Sequence, residues 1–138
     1  MAVVDDHQSR LLVTGAIAIA AGLSVYALLR PVRIPLIPSA LHFAASESYW
    51  PALFGAVPSV IHAFAMSLLT AACLRPQRRN ILIACLTWCV IDLVFEAGQR
   101  TTSRFFPAGT FDPLDVLAIL LGATLAGVVA LATLRGTR

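Results

Sequence analysis

Asp92, Glu96 and Gln99 stand at i, i+4 and i+7 inside an apolar stretch, a spacing that at 100° per residue sets the three side chains within about 60° of one another on a helix. Two carboxyls and an amide on one helix face can exchange a proton, pair with a cation or bind a polar ligand. An ionised carboxylate turned to hydrocarbon costs ~2.5 to 3.5 kcal/mol on insertion scales, so this face is expected to turn towards the interior of a bundle or a watery cavity. The plainer reading is that Asp92 and Glu96 lie near a membrane interface, solvated or held by Arg100 and Arg104, and the sequence leaves both open. Cys85 and Cys89 extend the same face, while Leu86, Val90, Leu93 and Val94 fall elsewhere and suit lipid or apolar neighbours.

His62 lies in another apolar run, with Ser59 and Met66 on its side of the helix. A single histidine among apolar residues reads first as a hydrogen-bonded contact between helices. It gains interest from the carboxylates one helix away, which could hold it or share a proton with it. Asp115 opens a last apolar run and suits either the positive end of a helix dipole or the same polar cavity as Glu96. Ala118, Gly122 and Ala126 follow it at helical spacing as a small-residue packing seam, and Gly15, Ala18 and Gly22 form a similar one in the first run. His62, Cys89, Asp92 and Glu96 are nominal metal ligands, but no HxxxH, HExxH or paired-cysteine motif joins them, so neither a metal nor a cofactor is expected. Thr101, Thr102 and Ser103 provide no nucleophile elbow, and no phosphate-cradling loop is present.

The elements that must position these groups follow from composition. The chain has 138 residues, of which 59% are hydrophobic and 12% charged, with a mean hydropathy of +0.85. Such a balance excludes a water-soluble monomer and intrinsic disorder alike. Apolar runs predict spans at about 11–29, 52–74, 81–98 and 114–134, since a spanning helix needs ~20 apolar residues. Pro58 either kinks the second span or marks its start. The first run reads as a retained anchor, because Asp5 and Asp6 precede it and its apolar stretch of 19 residues exceeds the ~7 to 15 of a cleaved signal. The chain is thus expected to be one all-α domain over 1–138, a polytopic four-transmembrane-helix bundle. The net charge of +3 is too small and scattered for a nucleic-acid partner, and three cysteines inside apolar runs argue against a disulfide framework.

Four spans put both termini beside the turn at 75–80, with Arg10, Arg75, Arg78, Arg79, Arg135 and Arg138, against Arg30, Arg33, Arg100 and Arg104 on the far side. The excess favours cytoplasmic termini. Tyr49 and Trp50 suit an interfacial belt at the mouth of the second span. Prolines 31, 35 and 38 favour an extended segment, after which Ser39 could cap a short helix through His42.

Glu96-Ala97-Gly98-Gln99, followed after a loop by Asp115 and Gly122, resembles the VanZ-like family of small bacterial membrane proteins. The resemblance runs over roughly residues 56 to 127 and matches a family histidine with His62, an ExxQ with Glu96 and Gln99, a loop arginine with Arg104, and the opening of the last helix with Asp115 and Gly122. Ile119 replaces the usual asparagine of that helix, and Pro58-Ser59 an Asp-Lys pair that often precedes the histidine. The resemblance implies a multi-pass protein of the bacterial cytoplasmic membrane and cell envelope, in a family with a member linked to reduced teicoplanin susceptibility.

Three functions stay open. In the first, His62, Asp92, Glu96, Gln99, Arg104 and Asp115 line a polar cavity near the outer leaflet that binds a membrane lipid or envelope head group. In the second, Glu96 or Asp115 is a general base paired with His62 in an intramembrane enzyme acting on a lipid-linked substrate. In the third, the chain is an assembly subunit whose Gly15 face docks on a membrane-protein partner or a second copy. Glu96 is expected to be an ionised clasp under Arg100 or Arg104, with a protonated donor as the alternative.

Overall fold

The computed structural model describes residues 6–29, 51–100 and 111–136, with side chains described for 6–25, 55–100 and 111–136. These residues form four helices: α1 (Asp6–Leu29), α2 (Pro51–Cys73), α3 (Arg78–Gly98) and α4 (Pro113–Gly136). All four are long and apolar enough to cross a membrane, since even the 21 residues of α3 rise through about 31 Å. The protein is therefore an all-helical, multi-pass membrane bundle, as the hydropathy pattern predicts. The proline segment, the helix expected after Ser39, Tyr49, Trp50, Arg104 and Thr101 to Ser103 lie outside the described residues or side chains.

α2 is the hub: α1, α3 and α4 all pack on it, α3 also packs on α4, and α1 meets α4 only slightly. One end of the bundle is solid. There Leu11, Leu68, Ile81, Ala84, Cys85, Ala126 and Ala130 form a continuous core, with Phe64, Leu74 and Leu134 at its margin. Outward lie Ile17 of α1, Leu86, Val90 and Val94 of α3, and Leu117, Leu121 and Val128 of α4. In a bilayer that outer surface is solvated by hydrocarbon, so association of the helices depends on close packing and polar contacts.

Close packing comes from the glycines. A Cβ built on Gly122 of α4 would collide with the Val60 carbonyl oxygen of α2 and stand 3.1 Å from Ala63 Cβ, so the two backbones meet where only hydrogen fits. Ala118 and Ala126 are buried on either side of it, as the seam predicts. On α1, Gly15 lies against Leu69 and Gly22 against Ile61, both on α2. This corrects the expectation of a free Gly15 face: the seam is already used within the chain.

Two boundaries differ from the hydropathy reading. α1 starts at Asp6 and α3 at Arg78, a turn or so before the apolar runs, because polar contacts hold the extra residues. Asp6 pairs with Arg10 at 2.8 Å across one turn, and Gln8 Nε2 donates to the Leu74 carbonyl at 3.1 Å. Asn80 Nδ2 donates to the Arg75 carbonyl at 3.1 Å, tightening the α2–α3 turn. α2 runs unbroken through Pro58 from its start at Pro51. At the head of α4, the Leu114 N–H donates to Asp112 Oδ1 at 2.9 Å, an N-cap followed by proline at the first helical position.

Candidate functional site

The other end of the bundle is hollow. A cavity of about 540 Å³ opens among the first half of α2, the second half of α3 and the start of α4, within the ~300 to 1,000 Å³ usual for small-ligand sites. Its polar wall is Ser59, His62, Asp92, Glu96 and Gln99, and its apolar wall Pro58, Trp88, Ile91, Phe95 and Ile119. The helical spacing of Asp92, Glu96 and Gln99 thus delivers one face to one cavity, and four of the six residues expected to form a site line it together. Asp115 stands one layer behind, accepting a hydrogen bond from Ser59 Oγ at 2.8 Å. Of the two roles its position allows, it fills the first, the acid of the first turn of α4; it does not line the cavity beside Glu96 but orients a hydroxyl that does. Arg104 lies outside the described residues.

His62 is paired with Asp92, its Nδ1 standing 3.2 Å from Oδ1 and 3.3 Å from Oδ2. Of the carboxylates one helix away that the sequence offered it, Asp92 is the partner; the Glu96 or Asp115 pairing that the enzyme reading needs is not formed, since both are committed elsewhere. The Asp92 side chain is 10% exposed and that of His62 54%, so a sheltered carboxylate orients an open imidazole whose Nε2 has no partner among the described residues. Trp88 meets the imidazole edge-on, with centroids 5.8 Å apart at 85°. Its Nε1 donates to Thr70 Oγ1 of α2 at 2.7 Å, which fixes the indole as the floor of the cavity.

Glu96 is 5% exposed and fully engaged. Gln99 Nε2 donates to its Oε2 at 3.0 Å, and the Asp112 backbone N–H donates to its Oε1 at 2.8 Å. The arginine clasp expected from sequence is not made by Arg100: Glu96 is held instead by a side-chain amide and a main-chain amide. Arg100, expected to cover Glu96, instead places its guanidinium carbon 3.6 Å from the centroid of the Phe111 ring, a cation–π contact. Residues 96 to 100 thereby grip residues 111 and 112, closing the connection between α3 and α4 from both ends.

Trp88 is a site residue that the sequence reading missed, and Ser59, placed on the face of His62, was not counted among the site residues. Trp88 was open to detection, since it precedes Asp92 by four residues and so shares its face. Cys85 and Cys89, taken as the extension of that face, are respectively buried and half-buried and do not line the cavity. No group of metal ligands occurs among the described residues.

The Trp88–Thr70 hydrogen bond predicts a coupled pair. Trp88→Phe and Thr70→Val should each lower stability by about 1 kcal/mol, and the double variant should be no worse than the sum less that shared bond. Thermal unfolding in detergent measures the cycle, and strict additivity would show that the bond contributes nothing.

Comparison with known proteins adds no relative: no family model, no curated protein and no solved structure matches the chain.

Proposed function

We propose that this protein is a VanZ-like multi-pass protein of the bacterial cytoplasmic membrane, with cytoplasmic termini, whose cavity binds a lipid or envelope head group in the outer leaflet. The observation that carries the reading is the convergence of Ser59, His62, Asp92, Glu96 and Gln99 on one hollow at the end of the bundle opposite the termini. If the arginine excess sets the termini inside, the hollow belongs to the outer leaflet.

The wall is richer in acceptors than in donors. Ser59 spends its hydroxyl proton on Asp115, Trp88 spends its N–H on Thr70, and Gln99 gives an N–H to Glu96. The second lone pairs of the Asp92 oxygens, the Gln99 carbonyl and His62 Nε2 remain to accept. Such a wall suits a head group that brings donors, a hydroxyl or an ammonium, and disfavours one that brings only phosphate oxygens.

Native mass spectrometry of protein extracted in mild detergent tests the reading. Wild type is expected to carry lipid, and Ile119→Trp, which fills the cavity from α4, to lose it by tenfold or more. Unchanged retention in a helical, monodisperse Ile119→Trp protein would overturn it.

A second reading, an intramembrane enzyme acting on a lipid-linked substrate, is favoured by the His62–Asp92 pair. A carboxylate on Nδ1 leaves Nε2 as the proton-accepting atom, and the same cavity would hold the substrate. Under this reading His62→Asn abolishes turnover of the bound lipid while leaving its retention intact.

A further inference from the structure

A second hollow of about 230 Å³ lies on the opposite flank of α2, against α1. Its wall is Ile19, Gly22 and Leu23 of α1 with Pro58, Ile61 and His62 of α2, so it is apolar except for the imidazole. The local sequence explains the space: Gly22 presents no side chain and seats α1 directly on Ile61, which leaves the volume beside the contact to be bounded by Ile19 and Leu23. Pro58 and His62 line this groove and the polar cavity alike. The two hollows therefore adjoin across a single turn of α2, one with hydrogen-bonding groups and the other with almost none.

We propose that the two hollows are the halves of one site for a membrane lipid, with its head group in the cavity among α2, α3 and α4 and one hydrocarbon chain laid over Pro58 and His62 into the α1–α2 groove. The inference rests on the head-group reading of the cavity and adds that the ligand is an intact lipid, held by its chain as well as its head. Three features carry it. The polarity changes abruptly at the shared residues, as it does along an amphiphile. The groove lies on helices that span the bilayer, so a chain reaches it sideways from the hydrocarbon phase without crossing water. Half of the His62 side chain stays open at the junction, where the bond between head and chain would pass.

The test uses phosphatidylethanolamine bearing a diazirine within one acyl chain, because its ammonium supplies the donors that the cavity wall lacks. The probe is added at trace level to phosphatidylglycerol vesicles containing the full chain, and crosslinks are mapped by mass spectrometry. Labelling of Ile19, Leu23 and Ile61 is expected to exceed that of Val90 and Val128, which face outward on α3 and α4, by fivefold or more. Ile119→Trp should reduce the groove signal to the level of those two positions. Ile19→Phe, which fills the groove from a partly exposed face, should lower lipid retention at least threefold without loss of thermal stability. This second variant serves where Ile119→Trp fails to fold. Soluble glycerophosphoethanolamine in 100-fold excess should not displace the probe.

Groove labelling equal to that of Val90 would overturn the proposal, as would displacement by the soluble head group. If Ile119→Trp releases lipid while groove labelling stays at the level of bulk contact, the cavity reading stands and the two-part site fails. If Ile119→Trp releases nothing, the cavity reading itself fails.

Discussion

Replacing Gly122 with alanine is expected to destabilise the bundle by about 2 to 3 kcal/mol, and replacing it with leucine to prevent folding. The added methyl would meet the Val60 carbonyl oxygen, a main-chain atom that cannot rotate away, so α2 and α4 must separate. Separation there loses the packing of Ala118 and Ala126 and draws Ser59 away from Asp115. The control is on the same helix: a Cβ at Gly127 would find only Cys85 Sγ, at an ordinary 3.8 Å. Gly127→Ala should therefore be neutral, or stabilising by up to about 1 kcal/mol through the higher helix propensity of alanine. Chemical or thermal unfolding in one detergent reads both variants, and equal behaviour would refute the close-approach account.

Glu96→Ala is expected to cost a similar ~2 to 3 kcal/mol, because it removes a buried acceptor and strands the part-buried Asp112 N–H and a Gln99 N–H. Glu96→Gln should cost roughly half as much, since its carbonyl can still accept from Asp112 while its amide group opposes that of Gln99. The start of α4 should loosen first. Hydrogen exchange at Asp112 and Leu114 is expected to accelerate in Glu96→Ala before the rest of the bundle is affected. If both variants melt with wild type while lipid retention is lost, Glu96 is a ligand-binding group and not a clasp.

The architecture was legible because hydrocarbon imposes one strict demand, about twenty apolar residues per span, and four runs meet it. The ends were less legible. Asp6 to Arg10 and Arg78 to Asn80 are helical although polar, since at the membrane face local ion pairs and amide contacts replace hydropathy as the stabilising term. His7 is almost wholly buried there and has no described hydrogen-bond partner, which nothing in its apolarity foretold. Within the site, the i, i+4, i+7 spacing placed Asp92, Glu96 and Gln99 together because helical periodicity fixes direction. Periodicity says nothing about rotation between helices, and so which of the carboxylates would meet His62 was open in the sequence, and only the structure singles out Asp92. For the same reason the Gly15 seam could be identified as a packing face without its partner being named.

α2 packs against α1, α3 and α4, and α4, made after the other three, closes the site. Synthesis is vectorial, so α1 and α2 can join as a hairpin while the ribosome is still at work on the remainder. α3 must then enter the bilayer carrying Asp92 and Glu96 before the Asp112 amide or the Gly122 seam has been translated. During that interval Asp92 already has His62 of α2, but Glu96 lacks the Asp112 amide and is free to attract whatever polar partner the insertion machinery or the leaflet offers. α4 is thus the latch of biogenesis as well as a wall of the cavity, and a chain stalled before Gly122 is the form that membrane quality control should recognise as unfinished.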